Sequence, residues 1–114
     1  MSAVEMFEKL GYQEIKLWNS FKVYRKIWDL FEDEEELFDQ VRKEGKLRFR
    51  YIEFTIFRDI DIDLIDVDAV VENGELKGKE YGEAVGTPQM GTAISFLELQ
   101  AINKQVEELG WNNE

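Results

Sequence analysis

Apolar residues along this chain switch between helical spacing and strict alternation. Ala3, Met6, Phe7 and Leu10 recur on one helical face. Ser2 and Glu5 precede them at capping-box spacing, in which each side chain satisfies a backbone donor near the helix start. Gly11 follows as a residue suited to a left-handed exit. The spacing predicts a short N-terminal helix. The pattern then alternates. Glu14 to Trp18 carries Ile15 and Leu17. Phe21 to Trp28 places Phe21, Val23 and Ile27 on one side, with Tyr24 and Trp28 on the other. Asn19-Ser20 between them is a turn signal, so these runs predict a β-hairpin with a two-residue turn.

Helical spacing returns in Leu30, Phe31, Leu37, Phe38 and Val41. Arg42 and Lys43 stand where cations suit a helix C-terminus, and Gly45 can close it. A helix over about 33–44 is expected. Lys46 to Phe57 is the strongest strand signal. Leu47, Phe49 and Tyr51 share one face, while Ile52, Phe54 and Ile56 share the other. This change of phase means either a bulge or a strand buried on both faces. Alternation continues through Ile60-Asp61-Ile62-Asp63-Leu64 and, shifted, through Ile65-Asp66-Val67-Asp68. Asn73-Gly74, flanked by Val70-Val71-Glu72 and Glu75-Leu76-Lys77, is the strongest short hairpin signal. Gly82 to Gly91 holds Pro88 and reads as a loop. A second capping box, Ser95 with Glu98, opens a helix whose expected apolar stripe is Leu99, Ile102, Val106 and Leu109. Gly110 ends it, and Trp111 is placed to pack back on it.

These elements predict a single α+β domain over 1–114. It has an N-terminal helix, a mainly antiparallel sheet, an inserted acidic helix and a C-terminal amphipathic helix, the helical stripes buried against one sheet face. Apolar residues make up 44% of the chain, enough to offset the ordering entropy of a folded core. No apolar run approaches the roughly 18 residues of a membrane span. Met1 to Glu5 has neither the basic nor the apolar part of a signal peptide. With no cysteine, the expected setting is a reducing cytoplasm.

Charge and missing residue types narrow the chemistry. The chain has 25 acidic and 14 basic residues, for a net charge of −11, and no histidine. Such a chain repels nucleic acid and anionic membrane at long range and attracts basic partners. Without Cys or His, Ser-His and Cys-His nucleophile pairs and imidazole- or thiolate-bound zinc are excluded. Catalysis would rest on carboxylates, Lys, Tyr or a carboxylate-bound metal.

Asp59, Asp61 and Asp63 would share one strand face and could hold Mg²⁺ or Ca²⁺. An EF-hand loop is not among the readings, because Leu64 and Val70 stand where its glycine and glutamate belong. A wet strand face, offset by Arg48 and Arg50 across the sheet, accounts for the aspartates more simply. Glu75-Leu76-Lys77 downstream of Asp63 matches the Asp plus Glu-x-Lys set of metal-dependent nucleases. Glu14-Ile15-Lys16 matches the triplet equally, so the weak metal candidates are Asp61, Asp63 and Glu75. Arg42, Lys43, Lys46, Arg48, Arg50 and Arg58, interleaved with Phe49 and Tyr51, have the composition of a nucleic-acid groove. The acidic blocks around them point instead to internal ion pairs. Asp33, Glu34, Glu35, Glu36 and Asp39 are the candidate contacts for a basic protein partner. Such an array can also imitate a phosphate backbone. Strand edges with Trp18, Tyr24 and Trp28 point to self-association.

The segments Met6-Phe7-Glu8-Lys9-Leu10-Gly11-Tyr12 and Ala101-Ile102-Asn103-Lys104-Gln105-Val106-Glu107-Glu108-Leu109-Gly110-Trp111 resemble small proteins encoded by phages and prophages of Gram-positive bacteria. The resemblance covers roughly the first fifteen and last twenty residues. It implies a mobile-element accessory protein in a bacterial cytoplasm and transfers no site residue. Three functions follow as expectations. The leading one is a non-catalytic acidic binding protein without cofactor. The others are a carboxylate-metal enzyme on Asp61, Asp63, Glu75 and Lys77, and a purely structural homo-oligomeric module.

Overall fold

The computed structural model describes residues 1–78, 85–89 and 93–112. The chain runs α1 (Ala3–Lys9), β1 (Gln13–Ile15), β2 (Ser20–Ile27), α2 (Glu34–Glu44), β3 (Lys46–Thr55), β4 (Ile60–Glu72), β5 (Glu75–Gly78), β6 (Val85–Gln89) and α3 (Phe96–Leu109). The fold is α+β. Every strand pairing is antiparallel, in the order β1-β2-β3-β4-β5, with β6 also on β4.

Local chemistry starts and stops the helices. Ser2 and Ser95 each form a complete capping box, with Glu5 and Glu98 respectively. Asp33 caps α2 by accepting from the Glu36 N–H at 2.8 Å. Gly45 and Gly110 exit α2 and α3 at φ +70 and +74, a conformation that costs a residue bearing Cβ.

β3 carries the core on both sides. Its register with β4 is unbroken from Lys46↔Asp68 to Phe54↔Ile60, so the phase change at Tyr51-Ile52 is not a bulge. Tyr24, Ile52, Phe54 and Ile62 face α1 and α3, packing with Phe7, Tyr12, Ala101 and Ile102. Ile27, Leu47, Phe49, Ile65, Val67 and Ala69 project from the opposite face and meet Val41 and Leu37 of α2. The helices therefore cover both faces, which corrects the expectation of one covered face. β3 must be apolar in both phases because each phase has its own helix to bury.

Other expectations need correction. The β1–β2 hairpin forms, but its pairing stops at Ile15↔Val23, so Leu17 and Trp18 lie in a longer connection. β3 ends at Thr55, leaving Ile56 and Phe57 in the loop to β4. Residues 85–89, expected in a loop, pair with β4, and edge pairing is where a strand tolerates Pro88. The rest of the Gly82–Gly91 segment lies outside the described residues. On α3, Leu99 is exposed, and the buried stripe is Glu98, Ala101, Ile102 and Gln105. Tyr24, expected at a self-association surface, lies in the core. The Asn73-Gly74 turn is as expected, with both residues at positive φ (52 and 74) as a type I′ turn requires. Trp111 also packs back, its ring 6.0 Å from that of Phe54. Among the described residues, no helix is long and apolar enough to cross a membrane.

Candidate functional site

The five acidic candidates stand together at the start of α2. Asp33, Glu34, Glu35, Glu36 and Asp39 are all exposed. Part of their role is architectural. Asp33 is the N-cap, Glu36 accepts from the Glu32 N–H at 2.9 Å, and negative charge suits the positive end of a helix dipole. Asp39 pairs with Arg42 at 3.0 Å. Among the described residues, Glu34 and Glu35 make no ion pair, so their charge faces solvent.

The metal candidates are not brought together. Asp61 sits opposite Glu53 and Asp63 opposite Tyr51. Glu75 is opposite Glu72, nine residues farther along β4 than Asp63. That is about 30 Å at about 3.3 Å per residue. Among the described residues, no three carboxylates are grouped to hold a metal ion. Burial, and then the charge of Asp61, raise the Asp63 pKa above the ordinary range. The expected cross-strand neutralisation goes elsewhere. Arg48 reaches Asp66 at 3.5 Å, with Lys46 at 3.9 Å from the same carboxylate. Arg50 turns away to Glu98. The basic stretch is thus largely spent on internal pairs, as expected.

Sequence reasoning missed a buried polar network. Arg50 is fully buried, and its Nε donates to Glu98 Oε2 at 2.9 Å and to the Tyr12 hydroxyl at 3.0 Å. Its Nη2 donates to the Ala93 carbonyl at 2.7 Å, and its guanidinium lies 4.9 Å from the Trp28 ring centre. Tyr12 donates to the same Glu98 oxygen at 2.5 Å. Glu98 Oε1 meanwhile accepts from the Ser95 N–H at 3.0 Å. Burial alone would raise the Glu98 pKa. The Tyr12 and Ser95 hydrogen bonds and the Arg50 charge outweigh it and hold the carboxyl below its usual range. Burial pushes the Tyr12 hydroxyl well above the phenol range, with Glu98 adding to the shift, so it stays protonated. The network locks α3 onto β3. The capping-box spacing gave Glu98 a local role, and nothing in the sequence signalled its second one.

A second feature, of which sequence reasoning singled out only Trp18, lies at one end of the sheet. Ser20↔Thr55 pairing sets the β1–β2 connection beside the β3–β4 loop. There Trp18 is 95% exposed, Phe57 80%, Phe21 51%, Ile56 49% and Ile60 37%. The loop is held in shape. The Thr55 side-chain oxygen accepts from the N–H groups of Phe57 (3.2 Å) and Asp59 (3.1 Å). The Arg58 N–H reaches the Thr55 carbonyl at 3.0 Å, with Arg58 itself at φ 64. A register shift between Ser20 and Lys22 falls at Phe21. The Phe21 ring lies 6.2 Å from Trp111, which ties this end to the terminus of α3. Asp59 and Asp61 are exposed beside it. Apolar side chains held out by an ordered loop are suited to contact with another molecule, because little entropy is lost on docking.

No family model, no curated protein and no solved structure matches this chain.

Proposed function

We propose that this chain is a non-catalytic binding protein that grips a protein partner through the aromatic end of its sheet. The observation that carries the reading is the set Trp18, Ile56 and Phe57 on two adjacent connections, with Phe21 and Ile60 at the strand ends beside them, all exposed. Trp and Phe concentrate binding energy at interfaces. Burying Trp18 and Phe57 alone would contribute about 3–6 kcal/mol. The flanking carboxylates Asp59 and Asp61, and the net charge of −11, favour a partner whose apolar cleft has a basic rim. Resemblance at both ends of the chain supports an accessory protein of phage or prophage kind, working in a bacterial cytoplasm.

A second reading places the partner on α2. It is favoured by the exposed carboxylates Asp33, Glu34, Glu35, Glu36 and Asp39. Salt separates the two, because exposed charge contacts are screened and apolar ones are not. Immobilised protein is incubated with a Gram-positive lysate, then washed at low and at high salt. The aromatic end predicts a defined partner that survives high salt and is lost from Trp18→Ser/Phe57→Ser. Release by salt, with loss from Glu34→Gln/Glu35→Gln instead, would move the site to α2.

A further inference from the structure

The outer face of α3 carries no charge over its first two turns. From Ala93 to Asn103 the one charged residue is Glu98, in a chain where 34% of residues are charged. Glu98 is buried against Arg50. Its neighbours Ile94, Phe96, Leu97, Leu99, Gln100 and Asn103 are all exposed. A helix face that meets only water ordinarily carries charged residues, as α2 does with Glu34, Glu35 and Asp39. Beside the uncharged face lies a groove of about 410 Å³ between α1 and α3. Its described lining is Met1, Met6, Lys9, Leu10, Leu97 and Gln100. Phe96 adjoins Leu97 and stands one helical turn from Gln100, so an exposed ring and an apolar recess share one face.

We infer that this face joins two copies of the chain about a twofold axis, with Phe96 of each copy seated in the α1–α3 groove of the other. A twofold contact must be self-complementary, and here the projection and the recess lie side by side. Charge decides the occupant. Each copy carries a net −11, so two copies repel where their carboxylates meet and approach most easily where charge is absent. A basic partner finds its counter-charges elsewhere, on α2 and beside the aromatic end. The area is also sufficient. Met1, Ile94, Phe96, Leu97 and Leu99 are 45–71% exposed and together offer about 550 Å², at roughly 200 Å² for a fully exposed residue of this size. Gln100, Asn103 and the groove walls bring the face near the roughly 800 Å² that each partner hides in a stable interface. Phe96 and Trp111 stand at opposite ends of α3, about 20 Å apart at about 1.5 Å per residue, so the aromatic end stays open in the dimer. Dimerisation goes beyond the partner-binding reading and does not depend on it.

The test is sedimentation equilibrium of the full chain from micromolar to near-millimolar concentration, at low and at high salt. Wild type should rise from the 13.5 kDa monomer to twice that mass. The rise should come at lower concentration in high salt, because screening removes the repulsion between copies. Phe96→Glu keeps an exposed position and suits the first turn of a helix. It should raise the dissociation constant at least about tenfold, as loss of a central interface aromatic does. Gln100→Glu, which sets a carboxylate at the groove, should also weaken the dimer, while Trp18→Ser/Phe57→Ser should leave the constant unchanged. Circular dichroism checks that each variant is folded. A 13.5 kDa mass at every concentration, a dimer that Phe96→Glu and Gln100→Glu leave as tight as wild type, or one lost from Trp18→Ser/Phe57→Ser, would each overturn the assignment.

Discussion

Replacing Glu98 with Gln tests the network that fastens α3 to the sheet. Arg50 is fully buried, and the Glu98 side chain is 7% exposed. The carboxylate serves two sets of donors: one oxygen takes the Ser95 N–H, the other takes Arg50 Nε and the Tyr12 hydroxyl. A glutamine has a single acceptor oxygen, so one set faces an NH₂ group, and the Arg50 charge loses its counter-ion. Removing one partner of a buried ion pair costs about 3–5 kcal/mol. The lower end applies here, because Arg50 keeps the Ala93 carbonyl and the Trp28 face. With a urea dependence of about 1.5 kcal/mol per M, a loss of about 3 kcal/mol lowers the unfolding midpoint by about 2 M at unchanged slope. The double variant Arg50→Met/Glu98→Leu should recover much of that loss, since an apolar pair leaves no charge stranded. Acidity provides a second arm. The folded-state pKa of Glu98 is depressed, so its contribution is complete above the ordinary glutamate range and fades as pH falls through it. Wild type and Glu98→Gln should therefore begin to converge as pH falls below the ordinary glutamate range and meet only below the depressed folded-state pKa. A midpoint drop under about 0.5 M at pH 7, or parallel pH curves, would refute the assignment.

Other consequences follow from the same geometry. Asp63→Asn should raise the urea midpoint at pH 7, because burial and Asp61 make ionisation of Asp63 unfavourable in the fold. That gain should vanish below about pH 4, where the wild-type carboxyl is also neutral; a lower midpoint at pH 7 would contradict it. Gly45→Ala meets no atom within 4 Å, so only its φ of +70 is penalised, and calorimetry should register a loss of about 1 kcal/mol. Millimolar Mg²⁺, Mn²⁺ or Ca²⁺ should leave the melting temperature unchanged, since Asp61 and Asp63 are far along β4 from Glu75. A saturable rise that Asp63→Asn abolishes would restore the metal reading. Trp18→Ser/Phe57→Ser should stay within about 0.5 kcal/mol of wild type for each exposed site, as measured by urea unfolding.

What the sequence made legible was local. Ser2 with Glu5, Ser95 with Glu98, Gly45, Gly110 and Asn73-Gly74 act within a few residues, and each behaves as its spacing indicates. What it hid depends on distant partners. The double phase of β3 reads as a bulge or a doubly buried strand until α2 is found on one face and α1 with α3 on the other. Glu98 and Gln105 break the apolar stripe of α3 because each meets a tyrosine hydroxyl, from Tyr12 and Tyr24 respectively. Val85-Gly86-Thr87-Pro88-Gln89 lacks strand alternation and pairs because β4 offers an open side. The aromatic end, apart from Trp18, was hidden for another reason. Trp18, Ile56 and Phe57 continue strand-like runs, and only where pairing stops do they become loop residues facing solvent.

The central claim is that the aromatic end grips a protein partner. It is tested most directly by placing a photoreactive phenylalanine analogue at Phe57 or, for comparison, at Glu35, and irradiating in a Gram-positive host cytoplasm. The account predicts one discrete cross-linked protein from position 57, diminished by Trp18→Ser, and no adduct of the same protein from position 35. A discrete adduct from position 35 alone, or none from position 57, would contradict it.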